Sequence, residues 1–179
     1  MPLPDSVGAD ERLRLFLALR LPEPWLDAIA AWQATAFAGA RVRVVPRAHL
    51  HVTLVFLGST PAAELPGILG RLELAARPVE LRPRGYRETR SAAMLTFEDV
   101  GGHGEAFADA AGRDEPRPWL PHVTVARYRE RPKLRKEFPD TIRTHVLVPS
   151  DAAAYLSRLR PSGAEYEVLA VFALSARFA

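Results

Sequence analysis

The sequence predicts an α+β fold, bilobal, with two antiparallel sheets facing a central cleft and helices outside. Three observations carry this expectation. Apolar residues alternate with polar ones through several short runs, the period of a half-buried strand. Two longer stretches space their apolar residues as an amphipathic helix does. Finally, the pattern His-x-Thr-hydrophobic occurs twice, 71 positions apart, at His51-Val52-Thr53-Leu54 and His122-Val123-Thr124-Val125, each inside an apolar strand-like run. Helix and paired strands recur roughly twice along the chain, with one such tetrad in each half.

The elements follow in order. Residues 12–21 alternate Leu13, Leu15, Leu17 and Leu19 against Arg12, Arg14, Phe16, Ala18 and Arg20, a strand by period. Pro22 and Pro24 suit a helix start, and Trp25, Leu26, Ile29, Trp32 and Phe37 recur at helical spacing up to a stop at Gly39, so residues 24–38 read as a helix. A short strand at 41–45 and a turn at 46–49 lead into the first tetrad strand, 50–57, which Gly58-Ser59-Thr60-Pro61 ends. A second helix spans about 66–76, with Ile68, Leu69, Leu72 and Ala75 on its apolar face. Strands at 79–82 and 92–97 flank a turn-rich connection, Pro83-Arg84-Gly85-Tyr86. Gly101-Gly102 breaks the chain before a short helix, 103–111, and a proline-bearing loop, 114–121, leads into the second tetrad strand, 121–128. Residues 129–140 read as a charged, exposed excursion. Strand candidates at 146–148, 152–159 and 166–174 complete the chain, with Pro161-Ser162-Gly163 as a hairpin turn.

Composition bounds the function. The chain has 179 residues, 48% of them hydrophobic and 25% charged, ordinary for a globular protein. That length suits one bilobal domain, residues 11–179, behind a flexible tail, residues 1–10. The tail lacks the basic start of a secretory signal. No run reaches the roughly 18 apolar residues of a membrane span. With no cysteine, thiolate nucleophiles, disulfides and cysteine-held metals are excluded, which fits a cytoplasmic protein. Net charge is +3, yet almost every basic residue is arginine, Lys133 and Lys136 being the only lysines. Arginine pairs with phosphate in a bidentate way, although a coding bias toward Arg and Ala accounts for the same count.

The tetrads carry the chemistry. Strand side chains alternate between faces, so His51 shares a face with Thr53, and His122 with Thr124. The opposite, core-side face takes Val52, Leu54 and Phe56 in one copy, and Val123 and Val125 in the other. Two imidazoles brought together supply an acid and a base near neutral pH, and a threonine hydroxyl beside each can donate to an anionic oxygen. Taken alone, a histidine on a half-buried strand is structural and a threonine is an ordinary strand residue; the matched pair is what favours a site. His49 is a turn or cleft-rim residue, since no Asp, Glu or Cys cluster accompanies it as a metal ligand. His103 and His145 carry no motif and belong on the surface.

These residues resemble the 2H phosphoesterase superfamily, and within it the RNA 2′,3′-cyclic phosphodiesterase, or 2′-5′ RNA ligase-like, branch. Besides the two tetrads, the likeness rests on several flanking runs: Arg14-Leu15-Phe16-Leu17-Ala18-Leu19, Val44-Val45-Pro46, Phe56-Leu57-Gly58 after the first tetrad, Pro121 before the second, Ala126-Arg127 after it, and the stretch from Ser157 to Leu169. It covers about residues 12–175. The sequence departs from the family pattern between Phe97 and Pro121, where the chain is short and the helix walling the cleft is trimmed.

The resemblance implies a metal-independent enzyme with no cofactor, acting on RNA or a nucleotide that ends in a 2′,3′-cyclic phosphate. His51 would protonate the leaving 3′ oxygen and His122 would activate water, leaving a 2′-phosphate; the residues alone leave that assignment open. Thr53 and Thr124 would bind the phosphate. Arg127 is a further phosphate-binding candidate, although it has opposite parity to His122 unless a bulge intervenes. Phe16 and Tyr86 are candidates for stacking on a base, with core packing as the competing role. The expected state is a monomer, and reverse joining of RNA ends is the same chemistry run backwards. Alternatives are a cyclic phosphodiesterase for a small nucleotide, such as ADP-ribose 1″,2″-cyclic phosphate, and a non-catalytic RNA-end binder.

Overall fold

Leu13, Leu15, Leu17 and Leu19 are all buried on one face of β1 (Arg12–Arg20), and this leucine row anchors the core of the computed structural model. The structure describes residues 11–132, 134, 136–160 and 163–174; the expected tail at 1–10, and Pro161 and Ser162 of the expected hairpin turn, lie outside them. After β1 come α1 (Glu23–Ala36), β2 (Arg43–Val44), a single 3-10 turn (Arg47–His49), β3 (His51–Pro61) and α2 (Leu65–Ala75). β4 (Leu81–Glu88), β5 (Ala92–Asp99), α3 (His103–Ala110), β6 (His122–Arg127), β7 (Asp151–Arg160) and β8 (Gly163–Ala173) follow.

Eight strands form one curled antiparallel sheet in the order β4-β5-β6-β3-β1-β7-β8, with β2 added beside β6. It divides into two leaves, one of β3, β1, β7 and β8, the other of β4, β5, β6 and β2. One residue pair, Val52 opposite Val123, joins them, so each tetrad strand stands at the inner margin of its leaf. Helices cover the outside. Trp25 of α1 packs on Phe97, Trp32 packs on Tyr86, and the buried Gln33 donates to the carbonyls of Val45 (3.0 Å) and Val125 (2.7 Å).

The two halves match beyond the tetrads. In β3, Thr53 pairs with Ala18 but Val55 with Leu17, so Leu54 is an extra residue. In β6, Thr124 pairs with Met94 but Ala126 with Ala93, so Val125 is extra. A β-bulge thus follows the threonine in both copies, and the next two residues are both buried (Leu54 and Val55, Val125 and Ala126). This corrects the placement of Phe56: the bulge swings it to the cleft face, where it is 72% exposed. It also supplies the bulge that Arg127 required.

Three further expectations change. Residues 83–86 are not a turn but lie within β4, and the chain reverses instead at Thr89, whose hydroxyl accepts from the amides of Ser91 and Ala92. Gly58-Ser59-Thr60-Pro61 does not end the first tetrad strand; with Gly58 at φ +72°, β3 continues through Pro61 against Arg12–Leu15. The candidate strand 146–148 is reduced to an isolated bridge between Leu147 and Leu81.

The short segment after β5 is tied down closely. Gly101 and Gly102 take positive φ, and the Asp99 carboxylate then accepts from the amides of Gly104 (3.0 Å) and Glu105 (2.8 Å), capping α3. Trp119 lies against Gly104, where a Cβ would fall 2.2 Å from the indole, and its Nε1–H donates to the Thr53 carbonyl at 3.0 Å. This segment is therefore pinned to the first tetrad strand.

Candidate active site

A cavity of about 1010 Å³ opens between the leaves. His51, Thr53, His122, Thr124, Arg127 and Phe16 all line it. The structure thus brings together six of the seven residues singled out from the sequence. Tyr86 is the exception. It pairs with Leu95, a fully buried residue, and so occupies the helix-covered face, with its ring on Trp32 and its hydroxyl donating to Glu88 at 3.1 Å. Burial and Glu88 both push its phenol pKa up.

The histidines are held alike. His51 Nδ1 lies 2.8 Å from the His49 carbonyl, and His122 Nδ1 lies 2.9 Å from the Leu120 carbonyl. A carbonyl can only accept, so each Nδ1 carries the proton and each Nε2 is left for the cleft. Residue i−2 is the orienting partner in both copies. Both tetrad threonines are half-buried on the same floor.

Around His51 the environment is aromatic. Phe16 lies 5.2 Å away, Tyr155 at 6.0 Å, and Tyr166 edge-on at 5.6 Å. Phe16 is only 3% exposed and stacks on Tyr155 at 4.9 Å, so it backs the His51 ring rather than offering a free face to a base. His49 lies on the cavity wall with its ring 4.9 Å from Tyr166, while His103 and His145 are exposed. Loss of water pushes the His51 pKa down to about 4, against the raising effect of its carbonyl partner and aided by the charges of His122, His49 and Arg127. One edge of the ring meets solvent, yet it sits at the bottom of a concave, aromatic floor, which is why desolvation dominates. The free site therefore keeps His51 neutral at pH 7.

Several wall residues were not singled out from the sequence. Phe56, Arg14, Arg43, Tyr166 and Arg160 all face the cavity. Arg43 stands directly opposite Arg127 across β2 and β6. Like charges so placed repel, and an anion between them relieves the repulsion. Phe56 and Arg127 occupy matching positions, one residue past the bulge, so the symmetry of the histidines ends there: one copy presents an aromatic ring and the other a cation. The one readable signal was the break in alternation after each threonine. Among the described residues no group of three or more His, Cys, Asp or Glu side chains is gathered so as to hold a metal ion.

Two carbonyl-oriented histidines, two threonine hydroxyls and facing arginines between the leaves of an antiparallel sheet are chemically able to hold an anionic group beside two imidazoles. Comparisons with known proteins give the family. The family model described as LigT like Phosphoesterase matches residues 19–86. An RNA 2′,3′-cyclic phosphodiesterase of Thermus thermophilus is 31% identical over 183 residues, 90% of each chain. One from Methanocaldococcus jannaschii is 26% identical over 173 residues, 88% of this chain and 98% of the relative. The crystal structure of TT0787 of Thermus thermophilus superposes with a TM-score of 0.74 at 29% identity, covering 90% of this chain and 98% of that one. E. coli LigT complexed with ATP gives 0.79 at 24% identity, covering 93% and 99%, and shows the shared fold. The chain belongs to the LigT-like phosphoesterase family and is an enzyme of that class.

Proposed function

We propose that this protein is a metal-independent RNA 2′,3′-cyclic phosphodiesterase that opens a terminal cyclic phosphate to a 2′-phosphate. The observation that carries the reading is the matched pair of tetrads, set across one Val52–Val123 junction with each imidazole fixed by the carbonyl two residues before it. The names of the Thermus and Methanocaldococcus relatives support the substrate class.

In this reading Thr53 and Thr124 donate to the non-bridging oxygens as charge builds in the transition state. His122 Nε2 takes a proton from water as its oxygen bonds to phosphorus. The bond from phosphorus to the 3′ oxygen breaks, and His51 Nε2 delivers a proton to that oxygen. Since burial keeps His51 neutral in the free site, it takes up its proton together with the anionic substrate, whose charge opposes the desolvation. With a 5′ hydroxyl in place of water, the same step joins two RNA ends through a 2′,5′ linkage, the 3′ oxygen leaving as before. Residues 11–179 act as one bilobal unit, a monomer in the cytoplasm; no helix among the described residues is long and apolar enough to cross a membrane.

The test is incubation, with EDTA present, with an oligonucleotide ending in a 2′,3′-cyclic phosphate, and identification of the product. A 2′-phosphate is expected. No turnover, or turnover that EDTA abolishes, overturns the proposal, and a 3′-phosphate overturns its regiochemistry.

A further inference from the structure

The cleft face of β1 carries Arg14, Phe16, Ala18 and Arg20, because the leucines that alternate with them, Leu13, Leu15, Leu17 and Leu19, are buried on the other face. Pairing with β3 orders these residues along the floor. Arg20 stands opposite His51, Ala18 opposite Thr53, Phe16 opposite Phe56 and Arg14 opposite Ser59. Ala18 and Arg14 are four residues apart, about 13 Å of strand at about 3.3 Å per residue. A phosphate held at Thr53 and Thr124 is thus farther from the Arg14 backbone than an arginine side chain extends.

Arg14 differs from its neighbours in having no partner among the described residues. Arg12 donates to the Ser59 hydroxyl and carbonyl, Arg20 pairs with Asp151 at 3.4 Å, and Arg160 pairs with Glu165 at 3.1 Å. Arg14 is exposed, lines the cavity, and has no hydrogen bond or ion pair among the described residues. Gly58, on the same wall, leaves the approach open: a Cβ built there would meet no atom within 4 Å. Between the histidines and Arg14 lies Phe56, 72% exposed, and Leu159, 65% exposed, adds a second apolar side chain to the cavity lining. Outward from the histidines, the wall therefore runs from a phosphate-sized polar spot, over an open apolar surface, to a cation with no partner among the described residues.

We propose that Arg14 binds a second phosphate of the substrate, on the 5′ side of the reacting nucleotide, so that the site is built for an oligonucleotide end rather than for a mononucleotide. This rests on the phosphodiesterase reading above. A terminal 2′,3′-cyclic phosphate has chain on its 5′ side only, which gives the second phosphate its direction. Arginine suits it, because a guanidinium grips phosphate oxygens in a bidentate way.

Hydrolysis of adenosine 2′,3′-cyclic phosphate and of a short oligoadenylate ending in the same group, by wild type and Arg14→Gln over a range of salt, tests this. The substitution is expected to raise KM about 10-fold for the oligonucleotide, as loss of one charge-assisted phosphate contact does, and to flatten the salt dependence of KM by roughly one phosphate's worth. KM for the mononucleotide and kcat for both substrates stay unchanged. An equal KM change on the mononucleotide, or none on the oligonucleotide, overturns the Arg14 site. Should wild type turn over neither substrate, it is the phosphodiesterase reading that fails. Anisotropy of a fluorescent oligonucleotide ending in a 2′-phosphate, compared in the two proteins, then decides the Arg14 site by itself: equal affinity rejects it.

Discussion

His51 and His122 share a backbone setting but not an environment, and this difference can be measured. Each is expected to be indispensable: His51→Ala and His122→Ala should each lose about 10³-fold or more in kcat, since acid and base act as a unit. Near-wild-type rates in both would return them to structural roles. The buried, aromatic setting of His51 makes a second prediction. Its ordinary pKa of 6.5 falls to about 4 in the fold, so between those values the unfolded chain binds a proton that the folded chain refuses. Stability contributed by this site is present above pH 6.5 and is lost as pH drops toward 4. Melting temperatures of wild type and His51→Gln measured over that range should show a steeper acid decline in wild type; parallel curves would reject the assignment. An anion in the cleft stabilises the charged ring, so phosphate binding at pH 6 should take up protons, which calorimetry in buffers of different ionisation enthalpy reads directly.

At the scale of elements, the feature to test is the bulge after Thr124. Its carbonyl at Val125 accepts from Gln33, whose amide also serves Val45, so one buried side chain fastens β6 to the approach to the cleft. Gln33→Leu strands the Val45 carbonyl and loosens the turn that brings Arg127 to the cleft face. The expected result is a loss of about 1–3 kcal/mol in stability by denaturant titration, with KM raised and kcat retained. In an Arg127→Ala background the stability loss should persist while the KM effect disappears. A KM effect that persists there makes Gln33 a scaffold residue only. This element also marks the limit of what the sequence disclosed. Alternation in β1, helical spacing in α1 and α2, and both tetrads were legible, because each depends on a period that a few residues display. Phe56 was placed on the wrong face and Arg127 needed a condition, because a bulge adds one residue and reverses parity beyond it. The adjacent apolar pairs Leu54-Val55 and Val125-Ala126 were its only trace. Tyr86 was misplaced because a strand through Pro83 and Gly85 reads locally as a turn, and its register is set by β5 across the sheet. Arg14 joins the cleft wall through the pairing of β1 with β3, and the rings of Tyr155 and Tyr166 come beside His51 only because β1 pairs with the distant β7, contacts that no local window contains.

For the molecule as a whole, what the tetrads share is more than a motif. Strand partner, bulge and orienting carbonyl repeat across the Val52–Val123 junction, and only the residue past the bulge, Phe56 or Arg127, differs in kind. The acid–base core is thus close to symmetric, while its walls are not, and the walls decide which way a substrate lies. The order β3-β1-β7 has one more consequence, in the making of the chain rather than its chemistry. β1 is complete early and gains β3 within about forty residues, but its other edge waits for β7, from Asp151 to Arg160. Until that segment leaves the ribosome, a leucine-rich strand stands with one row of amides and carbonyls open to any passing chain. Chains cut short before Asp151 should therefore aggregate, and in vitro translation with timed release should show solubility appearing only once β7 has emerged. A soluble, folded fragment ending before Asp151 would show that the open edge is harmless.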